Sequence, residues 1–164
     1  MNHLHAYWRM QYVKAPKTGA DKASLFEDLP KNRDEKSVHL LHRGRTGYLV
    51  LNRYPYNAGH LLAIPYRPAG TLGELSADER ADLMELIVLA QKILTDALHP
   101  DGFNVGFNFG AAAGAGIPNH LHAHIVPRWE GDGNFMPVLG DTRVLSDSLD
   151  SMWERLRAFC PKAG

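Results

Sequence analysis

Three histidines at alternate positions, His120, His122 and His124, are the residues of this sequence with the clearest chemical potential. In a β-strand, successive side chains point to opposite faces, so the three imidazoles are predicted to share one face, about 7 Å between neighbours. The apolar residues that alternate with them are predicted to face the core. A row of imidazoles on one face has three possible interpretations.

The first interpretation is a solvated polar face, although three outward histidines in a row are an unusual choice for that. The second is a zinc site, because imidazole is the commonest zinc ligand, but no Cys-x-x-Cys pair or nearby acidic ligand accompanies the histidines. The third is nucleophilic catalysis on phosphorus. A neutral imidazole can attack a phosphate and form a phosphoramidate, which water or another acceptor then cleaves.

The stretch "GAAAGAG" (110–116), directly before the histidines, favours the third interpretation. Gly114 and Gly116 allow backbone N–H groups to come close to an anion, as phosphate-binding loops do. Small residues also mark close backbone packing, so the loop alone is a weak signal. Beside three aligned histidines it indicates a phosphate site.

The motif "HLHAHIV" (120–126) resembles the His-φ-His-φ-His-φ-φ signature of the histidine triad (HIT) superfamily of nucleotide hydrolases and transferases. An upstream segment is also similar to that family, with Asn52 eight positions before a fourth histidine, His60. The segment 104–129 resembles the bacterial diadenosine tetraphosphate phosphorylase-like and fragile-histidine-triad-like branch. This resemblance implies a HIT-like fold and a nucleotide substrate.

The resemblance covers most of residues 7–138 and implies roles for single residues. His122 would be the nucleophile on the α-phosphorus, with a nucleotidyl-histidine as the intermediate. His120 and His60 would orient and support it, and His124 would contact the phosphate or the leaving group. The residues implied in nucleotide binding are Asn52 for the ribose, Phe26 and Leu51 near the base, and Asn108 with the Gly114–Gly116 backbone for phosphate oxygens.

One departure from the family pattern bears on the acceptor. Some triad hydrolases place a glutamine four positions before the first triad histidine, where it can position water, and Gly116 stands there in this chain. This leaves room for inorganic phosphate as the acceptor. Arg128 could reach a polyphosphate, but an ordinary surface arginine is an equally good interpretation.

The elements that must position these residues indicate an α+β domain, with a long helix and a C-terminal helix packed on an antiparallel sheet of about five strands. The predicted strands are 38–43, 48–52, 60–65, 103–109 and 120–128, and the predicted helices are 76–99 and 146–159. Ser76 and Glu79 form a capping box at the start of the long helix. We expect one domain over 1–164, with an N-terminal arm (1–36), a core with the triad (37–128) and a C-terminal tail and helix (129–164).

The composition excludes several classes of function. The 18 Lys plus Arg residues balance 18 Asp plus Glu residues, so a general nucleic-acid-binding face is not expected. No stretch is apolar enough for a membrane span, and the N-terminus lacks the apolar core of a secretory signal. The single cysteine, Cys160, cannot form an internal disulfide, which favours a cytoplasmic location.

These observations favour an enzyme that cleaves dinucleoside polyphosphates or related nucleotides by double displacement, as a phosphorylase or a hydrolase. Two alternatives remain open: a non-catalytic nucleotide-binding regulatory protein and a three-histidine zinc protein. No cofactor is expected, although a divalent cation could accompany a polyphosphate substrate. The resemblance also implies a homodimer that pairs through the long helix and the sheet.

Overall fold

The computed structural model describes residues 25–133, 135, 139 and 147–161. Most of the predicted N-terminal arm and part of the predicted tail lie outside the described residues. The helices and strands occur in the order α1 (Leu25–Asp28), β1 (Leu40–Arg43), β2 (Gly47–Leu51), β3 (Leu61–Pro65), α2 (Ala77–Leu98), β4 (Gly102–Phe107), β5 (Ala123–Arg128) and α3 (Leu149–Arg157). Short 3-10 turns lie at Leu29–Lys31, Leu72–Glu74 and Ala111–Ala113.

The five strands form one antiparallel sheet in the order β1-β2-β3-β5-β4. This confirms the predicted α+β class and the predicted sheet. β5 lies inside the sheet, with His124 opposite Leu62 of β3 on one side and Gly106 of β4 on the other. A side chain on β5 is therefore held between two neighbouring strands.

The long helix was predicted over 76–99 and is observed as Ala77–Leu98. The Ser76 hydroxyl accepts a hydrogen bond from the Glu79 N–H at 3.2 Å, and the Glu79 carboxylate accepts one from the Ser76 N–H at 2.7 Å, which confirms the capping box. The helix ends at His99, whose φ of 50° is left-handed. Its buried side consists of Leu83, Leu86, Ile87, Ala90, Ile93, Leu94 and Ala97.

The two faces of the sheet are covered differently. Leu61 and Ile125 belong to the larger core cluster, which packs against α2, and we call this side the α2 face. Leu62 belongs to a smaller cluster on the opposite side, together with Phe26. Because side chains alternate along a strand, His124, opposite Leu62 in the register, lies on this second side, which we call the histidine face.

The C-terminal helix, predicted over 146–159, is observed as Leu149–Arg157 and packs at the β1 edge of the sheet. The indole N–H of Trp153 donates to the Leu40 carbonyl at 2.8 Å. Within the described residues, no helix combines the length and the apolar character that a membrane crossing requires.

Candidate active site

The last strand begins at Ala123, so His120 and His122 precede it, and the predicted strand over 120–128 is wrong for its first three residues. Residues 120–122 are not part of the strand, because two of their polar groups form hydrogen bonds with other parts of the chain. The His120 Nε2–H donates to the Pro65 carbonyl at 2.8 Å, and the Leu121 N–H donates to the Ala69 carbonyl at 2.6 Å. The imidazoles nevertheless gather on one side of the sheet, with the His122 and His124 ring centroids 5.0 Å apart.

His122 is held as a single tautomer by its own chain. Its Nδ1 lies 2.9 Å from the His120 carbonyl oxygen, which can only accept a hydrogen bond, so Nδ1 carries the proton. The lone pair is then on Nε2, the ring nitrogen further from the backbone. With the side chain 6% exposed, this nitrogen has the fixed orientation that a nucleophile requires.

His60 and His124 form a second pair. His60 Nδ1 accepts the Tyr56 backbone N–H at 3.0 Å, so the proton of neutral His60 is on Nε2. That Nε2–H donates to His124 Nδ1 at 3.0 Å, which in turn places the proton of neutral His124 on its Nε2. Asn108 Nδ2 lies 3.4 Å from His124 Nε2, and with the amide turned, Asn108 would offer its oxygen to this N–H. The pair thus presents an N–H donor beside the His122 lone pair.

Burial lowers the pKa values of His120 and His122 below the usual value for histidine. Burial and the neighbouring His122 lower the pKa of His124 to about 4. In each case removal from water disfavours the charged imidazolium. The three triad imidazoles are therefore neutral at pH 7, as nucleophilic attack by His122 requires.

Phe26 lies directly on the triad, with its ring centroid 5.4 Å from that of His120 and 5.1 Å from that of His122. The structure does not bring Leu51 to the same place. Leu51 is 2% exposed and belongs to the core on the α2 face, whereas its neighbour Val50 lies on the histidine face. The placement of Leu51 near a base pocket is therefore corrected, because alternation along β2 turns its side chain away.

A family model described as the HIT domain matches residues 33–131 of the sequence. The chain belongs to the HIT family. Over 155 residues it is 38% identical to a Mycobacterium tuberculosis protein named AP-4-A phosphorylase, covering 91% of this chain and 79% of that protein. Over 93 residues it is 30% identical to the asymmetrical bis(5'-nucleosyl)-tetraphosphatase of Schizosaccharomyces pombe, covering 57% of this chain and 50% of that protein.

The solved structures agree with this HIT assignment. A hypothetical histidine triad nucleotide-binding protein from Sulfolobus tokodaii superposes with a TM-score of 0.65 and 25% identity, covering 82% of this chain and 89% of that chain. The predicted HIT-like fold is thereby confirmed.

Three of the residues predicted to bind the nucleotide are engaged within the HIT domain itself. The Gly114 N–H donates to the Ala111 carbonyl at 3.0 Å, which closes a turn with φ of 94° at Gly114. The Asn52 amide lies 3.3 Å from His60 Nδ1. Arg128 donates to the Asp132 carboxylate through Nε at 2.7 Å and Nη2 at 2.6 Å. Their contacts with a nucleotide, like those of Gly116, stay predictions.

Tyr56 is a site residue that the sequence reasoning missed. Its N–H sets the tautomer of His60, and its ring stacks on that of His124, with centroids 5.5 Å apart and planes 16° apart. The sequence offers only the aromatic pair in "RYPYNAG" (53–59), a stretch whose Pro, Asn and Gly are typical of a turn between strands. Nothing in that stretch indicates which backbone N–H would meet a histidine four residues later.

The three-histidine zinc interpretation receives no support from the geometry of the described residues. Among them, no group of three or more His, Cys, Asp or Glu side chains is arranged to hold a metal ion. The His120 Nε2–H and the His122 Nδ1–H instead donate to backbone carbonyls, and His60 Nε2 bonds to His124 Nδ1. This arrangement suits nucleophilic chemistry better than ligation.

The lowered pKa values predict that acid destabilises the fold in a defined window. Between about pH 6.5 and pH 4, an unfolded histidine binds a proton that folded His124 does not, so the free energy of unfolding falls as the pH falls through this range. The expected loss is on the order of 1 kcal/mol for each unit by which a pKa is lowered. Urea unfolding from pH 8 to pH 4.5 measures it, and His124→Gln should flatten the slope. An equal slope in the variant would contradict the assignment.

Proposed function

We propose that this protein cleaves dinucleoside polyphosphates at an α-phosphate by double displacement through His122, with inorganic phosphate as the preferred acceptor. The observation that carries the proposal is the His122 Nδ1–H donated to the His120 carbonyl, because it leaves the Nε2 lone pair oriented for attack. The regulatory, non-catalytic alternative gives no reason for this tautomer or for a neutral triad.

In the first displacement, His122 Nε2 attacks the α-phosphorus and forms a P–N bond as the bridging P–O bond breaks. The nucleoside polyphosphate leaves as an anion with the electron pair of that bond. The His124 Nε2–H, whose tautomer the bond from His60 sets, exchanges the Asn108 oxygen for the leaving oxygen and stabilises the charge that develops there. Once attached to phosphorus, the His122 ring keeps its Nδ1–H on the His120 carbonyl.

In the second displacement, a phosphate oxygen attacks the same phosphorus and the P–N electron pair returns to His122 Nε2. The product is a nucleoside diphosphate, and the proton lost by the phosphate passes to solvent. Two observations favour phosphate over water. Gly116 stands where some triad hydrolases carry a glutamine, and the 38% identical relative is named AP-4-A phosphorylase.

The test is product analysis with diadenosine tetraphosphate, in the presence and absence of inorganic phosphate. Phosphorolysis gives ADP plus ATP, and hydrolysis gives AMP plus ATP. We expect ADP plus ATP with phosphate and a radiolabelled nucleotidyl-enzyme without it. AMP as the main product in both conditions would overturn the choice of acceptor. Binding without either product or a covalent intermediate would overturn the enzyme proposal.

The assembly and setting of the enzyme are part of the same proposal. A homodimer is supported by exposed apolar side chains on two elements. On β4, an edge strand of the sheet, Val105 is 43% exposed, and on α2, Met84 and Val88 are 55% and 52% exposed.

The mechanism uses no resident metal, and a divalent cation would enter with the polyphosphate. A cytoplasmic location is supported by the single cysteine.

The dimer predicts a solution mass near twice the 18.3 kDa of the chain. Val88→Glu is expected to shift the protein toward the monomer, because a buried charge without a partner strongly destabilises an interface. Light scattering coupled to size-exclusion chromatography measures this, with Arg33→Glu as a control at an exposed position before β1, at the edge of the sheet opposite β4. A wild-type monomer at micromolar concentration would contradict the dimer.

A further inference from the structure

The loop between β2 and β3 (residues 52–60) is tied to the chain beyond β5 by the side chain of Asn57. Asn57 Nδ2 donates to the Asp132 carboxylate at 2.8 Å and to the Pro127 carbonyl at 3.2 Å. Its Oδ1 accepts the Ala58 N–H at 3.1 Å, and its backbone carbonyl accepts the His60 N–H at 3.2 Å. One residue therefore connects a remote carboxylate to the backbone that carries His60.

The carboxylate at the other end of this connection is itself firmly held. Asp132 accepts two hydrogen bonds from Arg128, at 2.7 Å and 2.6 Å, and one from the Trp129 N–H at 3.1 Å. Its side chain is only 10% exposed. The Arg128 hydrogen bonds hold the pKa of Asp132 at about 2, so the group stays charged at any pH of interest. Asp132 is a fixed anchor for the loop.

The loop segment that Asn57 holds is the one that sets the histidine tautomers. Tyr56, the preceding residue, donates its N–H to His60 Nδ1 at 3.0 Å. On the other side, Gly59 has φ of 76°, and a Cβ there would lie 2.6 Å from Leu98 Cδ1, so the backbone has no room to shift toward α2. The position of the Tyr56 N–H therefore depends on the bond between Asn57 and Asp132.

We propose that Asn57 is a positioning residue for catalysis: its bond to Asp132 keeps the Tyr56 N–H on His60 and thereby keeps His60 donating to His124. This rests on the proposed function, because it explains how the N–H donor for the leaving group is held in place. Without the bond, the Asn52 amide, 3.3 Å from His60 Nδ1, can turn its oxygen toward that nitrogen, so His60 can carry its proton there and His124 loses the donor to its own Nδ1. The nucleophile, His122, is held separately by the His120 carbonyl and is unaffected.

The kinetic test uses Asn57→Ala and two substrates that differ in their need for the leaving-group donor. Diadenosine tetraphosphate needs it, whereas adenosine 5'-(2,4-dinitrophenyl) phosphate releases a delocalised phenolate that needs it much less. We expect kcat to fall about 10- to 100-fold on the first substrate and less than about threefold on the second, the scale of a misplaced catalytic group. Equal losses on both substrates would overturn the proposal.

A matched control separates positioning from stability. Thr46→Ala removes a part-buried hydrogen bond to the Asp82 carboxylate, 2.6 Å long, beside β2 and outside the histidine site. It should destabilise the fold as Asn57→Ala does and leave kcat on both substrates unchanged. A kcat loss in Thr46→Ala equal to that in Asn57→Ala would overturn the positioning role. Asp132→Asn, which keeps an oxygen acceptor, should fall between wild type and Asn57→Ala.

The ¹⁵N spectra of the histidine rings give a readout that does not depend on turnover. In the wild type we expect His60 and His124 each to carry the proton on Nε2, and in folded Asn57→Ala we expect His60 to become a mixture of tautomers. Unchanged tautomers in the variant would overturn the proposal even if activity falls. If the wild type turned over neither substrate, the proposed function would fail, and these spectra would still decide the role of Asn57.

Discussion

Replacing His122 with glycine should lower kcat/KM for diadenosine tetraphosphate by at least about 10⁴-fold, because the nucleophile of a covalent mechanism has no substitute. Nucleotide binding should change little, since the neighbouring Phe26 and the other three histidines stay in place. Steady-state turnover measures the first effect, and calorimetric titration with a nucleotide product measures the second. The labelled nucleotidyl-enzyme should be absent.

The variant also allows a direct test of the missing group. Free imidazole should enter the space vacated beside Phe26 and restore part of the turnover. His99→Gly is the matched control, because His99 ends α2 in a left-handed conformation, φ 50°, where glycine is favoured. It should keep full activity with equal or greater stability. Full activity in His122→Gly itself would exclude a covalent intermediate on that residue.

The elements of the fold followed from the sequence because their signals are local. The capping box at Ser76 and Glu79 and the helical period after it placed α2 to within one residue at each end. Alternation and the turns between short apolar runs placed the strands. The order β3-β5-β4 was not predictable in this way, because it depends on pairing across distant segments.

The site was predictable in its residue types and less so in its geometry. His60 and Asn108 both contact His124, whereas the family resemblance implied that His60 supports His122 and that Asn108 holds phosphate oxygens; those two roles stay predictions. The prediction that residues 120–122 form a strand was wrong. The His120 side chain donates a hydrogen bond to the Pro65 carbonyl, and the Leu121 N–H donates one to the Ala69 carbonyl. The alternation of apolar residues along the chain cannot predict a hydrogen-bond partner more than 50 residues away.

The positions or contacts of three further residues could not be predicted from the sequence. Arg128 is a candidate polyphosphate ligand by sequence, but the turn after β5 places an Asp132 carboxylate oxygen 2.6 Å from Arg128 Nη2. Tyr56 acts through its backbone N–H. Every residue except proline has this group, so the residue type does not indicate the contact. Leu51 and Val50 differ only in the face they occupy, so an error of one position in β2 reverses the assignment.

His124→Ala should lower kcat on diadenosine tetraphosphate by about 10²- to 10³-fold, the usual loss when one preorganised donor to a developing charge is removed. The reason is the chain of bonds from the Tyr56 N–H through His60, which holds the His124 proton on Nε2 while a pKa of about 4 keeps the ring neutral. Initial rates at saturating substrate measure the loss.

The substrate with the dinitrophenolate leaving group decides what that loss means. If His124 stabilises the leaving oxygen, His124→Ala should cost less than about tenfold there, and His124→Gln, which keeps an N–H donor, should recover part of the rate on diadenosine tetraphosphate. An equal loss on both substrates would assign His124 to the phosphoryl group or to His122 instead. Because His124 touches the rings of both His60 and His122, only this comparison separates a donor to the leaving group from a support for the nucleophile.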